Sequence, residues 1–153
     1  IEKTYISWIK NKLTSLYGYI TTLIEFQKEN ILKNNINIIN NTISSIDEFI
    51  AFFNKNILKI HYSLIEYKDL NKENFYILIR TFWINLLPDL INKLKFLKKD
   101  LNMFLKHKIE KLNFDKLIKL FSSVNKIFLE IRREINSFLS FEDVNQIDEK
   151  SPF

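Results

Sequence analysis

The side chains most often used in catalysis are scarce in this 153-residue sequence, which holds two histidines, no cysteine and a single glycine. Without cysteine there is no disulfide, thiolate metal ligand or thiol nucleophile. The spacing of His107 and Glu110 places both side chains on one face of a helix, but bundles that bind two metal ions use paired Glu-x-x-His motifs, and the sequence has no such pair. We interpret His107 as solvated and His61 as structural.

The only glycine, Gly18, lies between Tyr17 and Tyr19 inside a helical pattern, which excludes a glycine-rich phosphate loop. Glycine within a helix costs about 1 kcal/mol relative to alanine. Either the close approach of another backbone or an aromatic ring offsets that cost, or the helix is locally weak here. With no nucleophile, acid–base pair or ligand set, the sequence predicts a protein that is not an enzyme and has no cofactor or metal. A cofactor hidden in the helical core is the alternative.

Positive charge is concentrated between Lys93 and Lys119, a segment that contains nine lysines and three acidic residues. We select as candidate partner-binding residues the lysines Lys93, Lys95, Lys98, Lys99, Lys106, Lys108 and Lys111. Such a ridge attracts nucleic acid, an anionic membrane surface or an acidic protein. The alternative is an ordinary solvated helix face, because base recognition favours arginine, and lysine outnumbers arginine by 20 to 3 in this chain.

Three aromatic residues, Trp8, Tyr76 and Trp83, are a second set of candidate partner-binding residues. Consecutive residues such as Phe82, Trp83 and Ile84 cannot all face inward on one helix. Apolar surface is therefore expected to remain for a protein partner, since interface hot spots favour tryptophan and tyrosine. A broad core or a fifth helical segment that covers these rings is the alternative.

The elements that must position these residues are predicted to be helices, because one glycine and two prolines leave few of the turns that a β fold requires. Apolar residues recur at alternating steps of three and four, which aligns them on one helical face. These stripes predict helices over about 2–31, from 36 to the polar stretch at 68–74, over 72–112, and from 115 to about 138. A capping box formed by Ser45 and Glu48 would start the second helix late, but the uninterrupted stripe from Ile36 favours the early start.

Pro88 lies within the third stripe, where it removes a backbone donor and disfavours a straight helix. We predict a kink or a short break near residues 85–87. Short connections between long helices favour antiparallel neighbours. The predicted fold is therefore an all-α, antiparallel up-down four-helix bundle with its third helix kinked or split at Pro88, with five helices as the alternative.

A single helical-bundle domain is expected over residues 1–140, followed by an acidic, mobile tail over residues 141–153. The most apolar window, 75–91, is interrupted by Arg80, Asn85, Pro88 and Asp89, so no transmembrane segment is predicted. Because the chain begins at Ile1 and not at methionine, we expect a processed product or an excised piece that lacks any targeting segment.

These observations favour a non-enzymatic helical module that binds another macromolecule, with a protein as the leading partner. The isoleucine-, asparagine- and lysine-rich composition is typical of an AT-rich genome, and the resulting hypothesis is an exported or surface-displayed domain of a microbial parasite. Attachment of the lysine ridge to nucleic acid or an anionic membrane surface is the alternative.

Overall fold

The computed structural model describes residues 2–65, 77–78 and 80–136, with side chains at 8–56, 58, 77–78, 80–82 and 84–133. Within those residues the chain is all-helical, as predicted, with four α-helices and no strand. The helices are α1 (Glu2–Lys28), α2 (Ile36–Ile65), α3 (Leu87–Leu105) and α4 (Asp115–Asn136). The predicted acidic tail at 141–153, Tyr76 and the side chain of Trp83 lie outside the described residues.

Helix α1 buries the stripe that the sequence predicted. Its core residues are Ile9, Leu13, Leu16, Ile20 and Leu23. The helix ends at Lys28, slightly before the predicted end, because Asn30 takes a left-handed conformation with φ of 59°. The N–H of Ile31 then bonds the carbonyl of Phe26, and the N–H of Asn30 bonds that of Gln27. This pair of bonds is a Schellman motif, which satisfies the last carbonyls of a helix.

Helix α2 begins at Ile36 after a short 3-10 turn over Leu32–Asn34. The early start is therefore confirmed, and the late start from a Ser45–Glu48 capping box is wrong. The buried face of the first half includes Ile39, Thr42 and Ile46. The Thr42 hydroxyl donates to the carbonyl of Ile38 at 2.7 Å, so this buried polar group is satisfied within its own helix.

A π-helical turn over Thr81–Leu86 leads directly into α3, at the place where the sequence predicted a kink or a break. The N–H of Leu87 bonds the carbonyl of Phe82, five residues earlier. Pro88 then falls in the first turn of α3, where a backbone donor is not needed. The π-helical turn thus accommodates Pro88, and the described backbone stays helical before and after it.

Helix α3 ends at Leu105, so the prediction that it continues to Leu112 was wrong. The cause is a second Schellman motif, in which His107 is left-handed with φ of 59° and the N–H of Lys108 bonds the carbonyl of Met103. His107 and Glu110 consequently lie in the connecting segment 106–114 and do not share a helical face. As predicted, Asp115 lies in the first turn of the last helix.

One hydrophobic core joins all four helices and the connecting segment. The largest apolar side chains that are fully buried are Phe49, Phe82, Phe121 and Phe128. Leu112 and Phe114 extend this core into the connecting segment. Gly18 does not support the packing explanation, because apart from its chain neighbours and the nearby backbone of its own helix, no described atom lies within 4 Å of a Cβ at that position.

Candidate functional site

Five lysines surround one surface depression at the C-terminal end of α3. The depression has a volume of about 360 Å³, and its lining residues are Lys95, Lys98, Lys99, Asn102, Met103, Lys106 and Lys108. We call these five lysines the lysine cluster. None of the described carboxylates lines the depression, so the described residues present positive charge with only amide and thioether groups between the ammonium groups.

The local backbone explains how these lysines come together. Lys95 and Lys99 are four residues apart, which places them on one face of α3. Lys106 and Lys108 belong to the turn in which His107 is left-handed. That turn stops the helix and returns the chain toward its own last turn, so Lys108 joins residues of α3 at the depression.

Only part of the positive charge in the cluster is neutralised. The Nζ atom of Lys98 lies 2.7 Å from the Oδ1 atom of Asp47 on α2, and this ion pair links the two helices. Among the described residues, no carboxylate lies within ion-pair distance of Lys95, Lys99, Lys106 or Lys108. Four ammonium groups are therefore available to an external anion.

The other predicted lysines lie elsewhere. Lys93 pairs with Asp89 on the same helix, at 2.7 Å. Lys111 belongs to a separate groove of about 830 Å³, which we call the terminal groove. This groove is lined by Ile24, Gln27, Lys28, Lys111, Leu112, Asn113, Phe114, Asp115, Ile118 and Lys119. The structure thus divides the predicted ridge into separate groups of lysines, because α3 ends earlier than the apolar stripe indicated.

Of the predicted aromatic residues, Trp8 has a described side chain, and it contributes to packing between helices. Its ring stacks on Phe52 with 3.3 Å between centroids and also on Phe49. The Nζ atom of Lys12 lies 5.5 Å from the Trp8 ring centroid and 2.6 Å from the Oε1 atom of Glu48. The Trp8 ring is therefore already in contact with other side chains of the protein.

Phe96 was not among the residues predicted from the sequence to bind a partner, yet it is 66% exposed. Lys99 and Met103 follow it by three and seven residues on α3, so all three lie on one helical face. The apolar pattern contained this signal, since Leu94, Leu97 and Leu101 continue the buried stripe and Phe96 falls outside it. Phe96 follows Lys95 directly and precedes Lys99 by about one helical turn, so it is close in the helix to two lysines of the cluster.

In the part of the chain that the structure describes, no group of three or more histidine, aspartate or glutamate side chains is arranged to hold a metal ion. No helix in that part is long and apolar enough to span a membrane. No family model, curated protein or solved structure matches this chain.

Proposed function

We propose that this chain is a non-enzymatic helical binding module whose lysine cluster holds the anionic groups of another macromolecule. The observation that carries this proposal is the convergence of five lysines on one depression that, in the described part of the chain, no carboxylate lines. Like charges held close together produce a local positive potential that attracts polyanions. The lysine ammonium binds phosphate as a point charge with little demand on its geometry.

The contacts of Trp8 favour this function over a partner surface built on the predicted aromatic residues. The Trp8 ring stacks on Phe49 and Phe52 within the protein, so these contacts would compete with a partner for the ring. Lys95, Lys99, Lys106 and Lys108, in contrast, have no carboxylate partner among the described residues. Their ammonium groups are therefore available to an external anion, and together they line one depression.

We also propose that neighbouring helices run antiparallel in an up-down order and that the third helix is bent near Pro88. Trp8 and Lys12 of α1 contact Phe52 and Glu48 of α2, so residue numbers rise along one helix as they fall along the other. This pattern supports antiparallel neighbours. The π-helical turn before Pro88 supports the bend, since π-bulges and prolines are common causes of helix kinks.

An acidic protein that binds the terminal groove is the second candidate. Ile24, Phe114 and Ile118 give this groove an apolar lining, and Lys28, Lys111 and Lys119 add positive charge. An apolar surface with charged surroundings is typical of protein interfaces. The two candidates use different lysines, so substitution distinguishes them.

The test is a titration of the full chain with long-chain inorganic polyphosphate at several salt concentrations. One variant replaces Lys95, Lys99, Lys106 and Lys108 with glutamine. Its control replaces four exposed lysines elsewhere, Lys33, Lys55, Lys116 and Lys126, so that both variants lose the same charge. We expect the cluster variant to lose at least roughly ten-fold more affinity than the control, and the affinity of the parent chain to fall as salt rises. Equal losses in the two variants would overturn the proposal.

A further inference from the structure

We infer that the partner of the lysine cluster is the phosphate layer of a membrane that contains anionic lipid, and that the Phe96 ring enters this layer beside the lysines. The inference rests on the proposed function, because it identifies the macromolecule that the same cluster binds. It adds a role for an apolar side chain that a purely electrostatic site does not need.

The exposure of Phe96 has no counterpart among the other described phenylalanines of α3 and α4. Phe104, Phe121 and Phe128 are all buried in the core, while Phe96 leaves most of its surface to water. Met103 lies two turns further along the same face and lines the depression. Phe96 and Met103 therefore add two apolar side chains to the face of α3 that also carries Lys99.

This combination complements an anionic bilayer surface. Proteins that bind at the membrane interface insert aromatic and aliphatic side chains among the headgroups and place lysines around them. Lysine stems are long enough to lie along apolar surface while the ammonium group reaches phosphate. Each lysine close to an anionic leaflet strengthens binding about five-fold.

The shape of the site favours a membrane over a nucleic acid strand. The lysines enclose one depression of about 360 Å³, whereas single-stranded nucleic acid is held along an extended basic groove with successive aromatic platforms. None of the three arginines belongs to the cluster. Arginine is the side chain best suited to bidentate phosphate and base contacts.

One carboxylate opposes the interaction. Asp100 follows Phe96 by four residues and therefore lies close to it on the helix surface. Its charge repels an anionic bilayer that approaches the Phe96 side of the cluster. Replacement of Asp100 by asparagine is accordingly expected to strengthen binding to anionic vesicles, about five-fold if its effect matches that of a lysine.

The experiment measures co-sedimentation of the full chain with phosphatidylcholine vesicles that contain phosphatidylserine, and with pure phosphatidylcholine vesicles. Phe96→Ala is compared with Leu58→Ala, because Leu58 is 65% exposed and lies on α2. We expect Phe96→Ala to lower partition onto anionic vesicles roughly ten-fold and to leave polyphosphate binding unchanged. Leu58→Ala is expected to leave both unchanged.

Insertion is measured separately with Phe96→Trp, whose fluorescence is compared with that of the parent chain. Additional blue-shifted emission that brominated lipid quenches supports insertion. Equal partition of the Phe96 and Leu58 variants, or partition onto pure phosphatidylcholine equal to that onto anionic vesicles, overturns the membrane inference. So does tighter binding to single-stranded oligothymidylate than to anionic vesicles. Polyphosphate binding without vesicle binding contradicts this inference alone, while loss of cluster-dependent binding to every anion contradicts the proposed function as well.

Discussion

The side-chain amide of Gln27 forms hydrogen bonds with both backbone polar groups of Leu112, which lies 85 residues later in the chain. The Nε2 atom donates to the Leu112 carbonyl at 2.9 Å, and the Oε1 atom accepts from the Leu112 N–H at 2.8 Å. The Gln27 side chain at the end of α1 therefore satisfies the N–H and the carbonyl of Leu112 in the connecting segment 106–114, as a paired backbone would. Through this contact α1 holds the segment that carries Lys108 and Lys111.

Gln27→Ala is expected to lower the free energy of unfolding by about 2 kcal/mol, because two partly buried backbone groups lose their partners. Gln27→Glu should also destabilise the protein, since a carboxylate accepts from the Leu112 N–H but repels the Leu112 carbonyl. Urea denaturation of both variants provides the measurement. Unchanged stability in Gln27→Ala would mean that the contact does not hold the segment.

Gly18→Ala is expected to raise the free energy of unfolding by about 1 kcal/mol, because alanine has the higher helix propensity. Apart from the chain neighbours and the nearby backbone of α1, no described atom lies within 4 Å of the added Cβ. The Gly18 carbonyl accepts hydrogen bonds from the Thr21 and Thr22 hydroxyls at 2.9 Å, and a side chain at residue 18 leaves that acceptor in place. Thermal unfolding measures the change, and a lower melting temperature would indicate an unseen close contact at this position.

His107→Gly is expected to stabilise the protein by about 1 kcal/mol, because glycine adopts the left-handed conformation without the cost of a Cβ. Its control is Lys106→Gly, at a residue with φ of −89°. That substitution brings no such relief and increases the flexibility of the unfolded chain. The free energy of unfolding from chemical denaturation should therefore rise in His107→Gly and fall in Lys106→Gly. A shared direction would exclude the Schellman motif as the reason that α3 ends at Leu105.

Phe121→Ala is expected to cost about 3–5 kcal/mol, because it removes a fully buried ring and leaves a cavity. Phe96→Ala should change stability by less than about 0.5 kcal/mol, as is usual for substitutions at an exposed surface. Denaturation curves of this matched pair measure the difference. Similar costs for both would contradict the assignment of Phe96 to the surface.

The helical content and much of the core could be predicted from spacing alone. In α1 the apolar residues Ile9, Leu13, Leu16 and Ile20 are all buried, because their spacing by three and four residues brings them to one side of the helix. The start of α2 at Ile36 followed from the same spacing, although Ile36 itself is 52% exposed. Apolar periodicity is a strong signal where a helix continues without interruption.

The helix ends and the cluster were harder to predict because they depend on tertiary contacts. Leu112 continues the apolar spacing of α3, yet it belongs to the non-helical segment that follows. Its side chain is buried there, and Gln27 holds its backbone in place. His107 gave one local signal, since histidine is among the residues enriched in left-handed conformations. The separation of Lys111 from Lys106 and Lys108 follows from that turn, and the sequence pattern did not reveal it.

The most direct test of the central claim is an NMR titration of the ¹⁵N-labelled full chain with inorganic polyphosphate. If the lysine cluster is the binding site, the largest amide shift changes will fall in residues 95–108, and Lys33 and Lys55 will change little. Changes centred on residues 111–119, or spread evenly over all lysines, would contradict the account.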